Sequence, residues 1–267
     1  MSEITRFGNA HPTVMCVMLV NGREQMAKRA VASFCAQTYE PSMLFILDTG
    51  KPPLPYRVTH QRVFHIPPPG EPARTEPAQH SIGYLRNFAN DALRKSDLIA
   101  HFDSDDWSHP RRLEEQVALL QASGKQCVSY RELLFWDTRE ACPADCEEEF
   151  GHLEHSDGEA WLYRNPDPRW GAGASFLYRR ELWERQPFED APHEDQRWWC
   201  TPLVSANCRG VSAQVSPRLG STEPRMICQM HAGSTEHIPR KVMLEGGGGT
   251  WRRVPEWDSH CRSVMAL

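Results

Sequence analysis

An α/β fold with a mostly parallel central sheet flanked by helices is predicted by three features of the sequence. First, the apolar, β-branched run "TVMCVMLV" (13–20), the helically spaced "GREQMAKRAVASFCAQ" and the run "SMLFILDTG" (42–50) follow one another as strand, helix and strand, the order of a parallel βαβ unit. Second, "SIGYLRNFANDALRKS" (81–96) places Ile82, Leu85, Phe88, Ala89, Ala92 and Leu93 on one helical face and leads into the short strand "DLIAHFD". Third, acidic residues collect where these strands end: Asp48 after the second, and Asp103, Asp105 and Asp106 after the fourth. The carboxyl edge of a parallel sheet is where ligands bind in open α/β folds.

The remaining elements follow in order. Between residues 51 and 77 the prolines exclude helix and leave room for one short strand around Val63 to Ile66. "PRRLEEQVALLQASG" reads as a helix with Pro110 in its first turn and Gly124 at its end. The second half is less regular: a strand in "QCVSYRELLFWD", an acidic loop over 138–160, then "GASFLYRRELWERQPF". No linker or repeat divides the chain, so residues 1–240 are expected to form one domain, with halves 1–125 and 126–240. The four-glycine run Gly246 to Gly249 marks 241–267 as a flexible tail or lid, with Trp251, Arg252 and Arg253 behind it.

Composition narrows the function classes. With 40% hydrophobic and 24% charged residues in 267, the chain has the balance of an ordinary globule with a sizeable core. It has no apolar run of membrane-spanning length, and its first apolar stretch lies too far inside for a secretory signal, so a cytoplasmic protein is expected. A net charge of -5 argues against coating nucleic acid over the whole surface. Lysine occurs only at positions 28, 51, 95, 125 and 241, and arginine carries the rest of the positive charge, which suits forked recognition of phosphate or carboxylate. The nine cysteines lack paired spacing; Cys142 and Cys146 with His152 and His155 make only a loose set, read as unmetallated. Glu147 to Glu149 read as a solvated loop.

Three carboxylates at one strand end repel one another and must be offset by solvent, arginine or a metal ion. Asp105 and Asp106 could instead cap the following helix. At the ligand edge of a crossover, however, D-x-D suits Mg2+ or Mn2+, which takes a few carboxylates and leaves positions for phosphate oxygens.

Five segments, in order over roughly residues 13–240, carry a family resemblance. "VNGREQMAKRAVASFCAQTYEPSMLFILDTG" and "IGYLRNFANDALRKSDLIAHFDSDDWSHPRRLEEQV" resemble the nucleotide-binding half of family 2 glycosyltransferases of the GT-A fold. "GAGASFLYRRELW", "FEDAPHEDQRWW" and "MICQMHAGSTEH" are similar to that family's acceptor-side, E-D and late histidine segments. The resemblance implies a metal-dependent, inverting glycosyltransferase that moves a sugar from a UDP-sugar to an acceptor hydroxyl. It implies that Asp48 recognises uracil, Arg86 lies near the donor phosphates, Asp103 contacts ribose or sugar, and Asp105 and His231 hold Mn2+ or Mg2+. The E-D motif supplies the base, Asp195 in preference to Glu194. Where the family has two acidic residues after the second strand, this chain has only Asp48.

Trp251 and Arg252, behind the glycine run, are expected to close over the donor diphosphate. Trp198 and Trp199 either stack on a sugar or base or pack in the core. The acceptor is left open between a glycan, a small molecule, a protein and a 5-hydroxymethylated base in DNA. Two other classes stay open: a nucleotidyltransferase, and a non-catalytic nucleotide-sugar-binding protein.

Overall fold

The computed structural model describes residues 11–51, 53–55, 57–69, 80–93, 95–139, 158–167, 170–208, 212–214, 223–231, 240–245 and 250–266. Cys142, Cys146, His152, His155, Glu147 to Glu149 and the glycine run 246–249 lie outside them.

The N-terminal half is built as the apolar periodicity dictates. β1 (Val14–Val20), α1 (Glu24–Cys35), β2 (Ser42–Asp48), β3 (Val63–Ile66), α2 (Ile82–Ala92) and β4 (Leu98–His101) give the parallel order β3-β2-β1-β4. Alternate side chains of β1 serve opposite faces: Val14, Cys16, Met18 and Val20 pack under α1 with Ala27, Ala30 and Phe34, while Met15 and Val17 pack with Leu85 and Ala89 of α2. Phe34 meets Phe102 edge to face at 5.7 Å, and truncating it to alanine would cost about 3–5 kcal/mol.

The sheet continues through β8 (Leu177–Arg179), antiparallel to β4, to β6 (Cys127–Asp137), β7 (Glu159–Arg164) and β11 (Thr250–Arg253), so the order runs on as β4-β8-β6-β7-β11. β5 (Trp107–Ser108) and β10 (Met226–Met230) form a side branch, β10 lying parallel to β6; β9 (Ser212–Gln214) also pairs with β6. Helices α3 (Arg112–Ser123), α4 (Arg180–Arg185), α5 (Glu194–Cys200), α6 (Pro202–Cys208), α7 (Arg240–Leu244) and α8 (Asp258–Met265) complete the chain. No helix among the described residues is long and apolar enough to cross a membrane.

Four expectations are corrected. Ala92 is exposed, and Gly83, Arg86 and Asn90 are buried in its stead. The cause is a second cover on α2: Asn87 Nδ2 donates to the Phe188 carbonyl at 2.8 Å, and Arg86 faces Glu194. Pro110 precedes α3, which starts at Arg112, and neither Asp105 nor Asp106 caps it. β7 begins inside the stretch read as an acidic loop; Glu159 is buried there because Arg253 lies 3.9 Å away and the backbone pairs with β6. The described part of the tail is built into the body. β11 pairs antiparallel with β7, and α8 buries Cys261 and Met265 against Leu134 and Leu162.

Candidate functional site

A cleft of about 1330 Å³ opens at the carboxyl ends of β1, β2 and β4. Arg23, Asp48, Arg57, Arg86, Asp103 and Asp105 line it, so it gathers four of the residues expected to bind the donor or its metal ion.

Its geometry starts from the turn after β1. Gly22 (φ 70) and Arg23 (φ 58) are both left-handed, which glycine adopts freely and arginine does not. Arg23 and His193 are the non-glycine residues with positive φ among those described, and each immediately precedes a helix at the site. Such conformations cost about 1–3 kcal/mol and gather at ligand sites. The turn directs the Arg23 guanidinium at Asp105: Arg23 Nη1 lies 3.0 Å from Asp105 Oδ2 and 2.9 Å from His231 Nε2, which is itself 3.0 Å from Asp105 Oδ2. Burial opposes ionisation of Asp105, but His231 and the Arg23 charge outweigh it and hold its carboxyl below the ordinary value.

Asp103 and Asp106 have different partners. Arg86 Nη2 lies 3.6 Å from Asp103 Oδ1, while Arg86 Nε donates to Glu194 Oε1 at 3.0 Å. Burial works against the Arg86 charge, but Asp103, Glu194 and Asp195 hold it above its usual value. Its Nη1 is buried and has no protein partner. Burial raises the Asp103 and Glu194 carboxyls despite Arg86, whereas Asp106 is pushed up furthest, by burial and then by Asp105 and Asp103. Asp106 is structural: its Oδ1 accepts the Gln229 N–H at 3.1 Å and ties the turn to β10. Behind the turn, Arg29 Nη2 donates to the Asp105 carbonyl (2.7 Å) and to Gln229 Oε1 (2.6 Å), and Arg29 Nη1 donates to the Met265 carbonyl (2.7 Å).

The E-D pair divides its roles. Glu194 is buried on Arg86, whereas Asp195 is half-exposed and lies against Gly173, where a Cβ would overlap its carboxylate. Gly173 is held from below. His101 Nδ1–H donates to its carbonyl at 2.7 Å, His101 Nε2 accepts from the Tyr178 hydroxyl at 3.3 Å, and that hydroxyl accepts from Asn90 Nδ2 at 3.0 Å. Burial among Phe176, Tyr178 and Phe188 keeps His101 neutral, well below its ordinary value.

Asp48 lines the cleft with its carboxylate bound to its own loop: Oδ1 accepts the Gly50 N–H at 2.9 Å and Oδ2 the Leu54 N–H at 2.7 Å. Trp198 and Trp199 are core residues, 0% and 2% exposed. Trp251 and Arg252 are not brought to the cleft. Trp251 packs with Phe135 and Tyr163 on β11, and Arg252 lines a different groove. Sequence reasoning missed Arg23, His101 and Gly173. Only "NGR" after the first strand signalled a turn there.

A divalent cation fits the Asp105–His231 pair in part. One carboxylate oxygen and one imidazole nitrogen converge on a point at which the Arg23 guanidinium stands in for a cation. Among the described residues no group of three or more His, Cys, Asp or Glu side chains is placed to hold a metal ion. Further ligands would therefore be water or phosphate oxygens, the manner in which Mg2+ and Mn2+ usually bind beside a substrate.

No protein-family model and no curated protein matches the sequence. Solved structures do. Residues 1-349 of S. aureus TarS in complex with UDP superpose at TM-score 0.53 and 11% identity, over 82% of this chain and 60% of that one. The same protein in complex with UDP-GlcNAc gives TM-score 0.52 at 13% identity, over 84% and 60%. The mannosyltransferase PcManGT from Pyrobaculum calidifontis, in complex with GDP-Man and Mn2+, gives TM-score 0.50 at 13% identity, over 96% and 70%. The chain thus spans about 60% of the length of the TarS chain it matches. Its mixed sheet, parallel over β3-β2-β1-β4 and flanked by helices, is the GT-A fold.

Proposed function

We propose that this chain is a metal-dependent, inverting glycosyltransferase that moves a sugar from a UDP-sugar to an acceptor hydroxyl. The observation that carries the reading is one cleft at the parallel-strand edge lined by Asp103, Asp105 and Arg86, with His231 against Asp105 and Asp195 beside Arg86. UDP, UDP-GlcNAc and GDP-Man with Mn2+ in the fold's neighbours support it. Residues 1–125 would supply the donor side and 126–240 the base, within one domain. Free thiols at all described cysteines suit a reducing cytoplasm.

In this mechanism Asp48 and the β1–α1 turn seat the nucleoside, and Asp103 contacts ribose or sugar. Arg86, with one buried donor unspent, faces the phosphates. Asp105 and His231 would hold Mn2+ or Mg2+, which supplies Lewis-acid stabilisation of the leaving diphosphate. The acceptor oxygen attacks the anomeric carbon opposite the leaving group. As that bond forms, the carbon–oxygen bond to the diphosphate breaks, UDP departs with the electron pair, and the hydroxyl proton passes to the Asp195 carboxylate. One displacement inverts the anomeric centre and needs no enzyme nucleophile.

The test is UDP release from a panel of UDP-sugars with Mn2+, with and without EDTA. Simple glycans and hydroxymethylcytosine-containing duplex DNA are the acceptor arms. Release that EDTA stops and one acceptor stimulates is the expected result. Pyrophosphate in place of UDP would indicate a nucleotidyltransferase, and donor binding without turnover a binding protein.

A further inference from the structure

A second groove, of about 340 Å³, lies on the β6–β7–β11 part of the sheet and is lined by Arg131, Arg164 and Arg252 with Glu132 and Asn165. Strand register fixes the arrangement. Glu132 stands opposite Arg164 across β6 and β7, and Arg252 stands opposite Leu162, two residues from Arg164 on the same face. Diagonal neighbours of this kind are about 7–8 Å apart, within reach of two guanidinium groups converging on one ligand.

The three arginines have no carboxylate or carbonyl partner for their side chains among the described residues. Arginines around them do: Arg253, next in sequence to Arg252, pairs with Asp258 at 2.8 Å, and Arg139 with Asp137 at 2.7 Å. Glu132, 3% exposed, is the groove's single carboxylate, which leaves an excess of two positive charges in a chain whose net charge is -5. Arg164 and Arg252, like charges on one sheet face, repel, and an anion between them relieves the repulsion.

We propose that this groove binds a phosphate group, held between the guanidinium groups that line it. Phosphate fits better than a lone carboxylate, because three forked donors are available and phosphate offers oxygens to all of them. The anion site stands independently of the glycosyl-transfer reading.

The experiment compares the full chain with the Arg164→Ala/Arg252→Ala double variant. Both side chains are exposed, so the fold should survive, and unchanged thermal melting confirms it. Two probes separate the sources of phosphate: glycerol phosphate as a monoester, and a fluorescent oligothymidylate as a phosphodiester chain. The expected result is binding of at least one probe, weakened by about ten-fold or more in the double variant, the effect of losing a charge-assisted contact. If the diester is the ligand, its salt dependence should also flatten by about 1–2 in log–log slope. UDP binding in the donor cleft should not change. Failure of both probes to bind, or equal affinity in the double variant, overturns the proposal. Loss of UDP binding by the parent chain, with phosphate binding intact, would overturn the glycosyl-transfer reading and leave the groove.

Discussion

Arg23 Nη1 lies 3.0 Å from Asp105 Oδ2, so a side chain on the first turn of the fold places a positive charge where the proposed metal ion would bind. The two cations compete for one carboxylate. Arg23→Ala should therefore tighten Mn2+ binding by about ten-fold or more, since unit charges a few ångströms apart repel by several kcal/mol in a partly buried site. Titration calorimetry without donor measures it, with Asp105→Asn as the variant expected to lose the ion. Unchanged or weaker Mn2+ affinity in Arg23→Ala would refute the competition.

Asp195 and Glu194 can be told apart by what each loses. Asp195→Asn should lower turnover by about 100- to 10,000-fold, the usual contribution of a general base, with UDP affinity unaltered. Glu194→Ala should instead cost about 3–5 kcal/mol of stability, because the buried Arg86 loses the carboxylate that its Nε bonds at 3.0 Å. Denaturant melts and single-turnover rates distinguish them; a fully active Asp195→Asn would remove it as the base.

Gly173 is confined by Asp195. In Gly173→Ala the new methyl must displace the carboxylate, and a displacement of about 1 Å at a reacting group can cost about 100-fold in rate. We expect kcat to fall with UDP affinity and secondary structure retained. Parental kcat would show that the present position of Asp195 is not the reacting one.

His101 makes stability sensitive to acid. Its folded value is depressed, so it is neutral in the native state while the unfolded chain takes up a proton near pH 6.5. Stability is fully present above that pH and falls as the pH drops below it, by up to about 1.4 kcal/mol per pH unit. His101→Gln should melt lower at pH 8, having lost the Gly173–Tyr178 link, but should show a shallower decline from pH 6.5 to 5.5. An equal decline in both proteins would assign the acid sensitivity to other groups.

The N-terminal half was legible because its signals are local. β1, β2 and α2 each carry their own apolar period, and the aspartates sit where the strands end. What was illegible depends on partners distant in sequence. Ala92 looked like core and is exposed because α2 turns Arg86 and Asn90 toward elements about a hundred residues later. Glu159 looked like loop and is strand because Arg253 neutralises it. Trp251 and Arg252 looked like a lid because four glycines precede them, but the strand that follows pairs with β7. In the site, carboxylates and His231 announced themselves by motif, whereas Arg23 depended on a left-handed turn that only "NG" hinted at.

The single Arg29 guanidinium that bonds the Asp105 carbonyl also bonds the carbonyl of Met265, 236 positions away in sequence. The far end of α8 is thereby a structural support of the turn that carries Asp105. Losing this helix would be expected to loosen the turn that carries Asp105 while sparing most of the sheet.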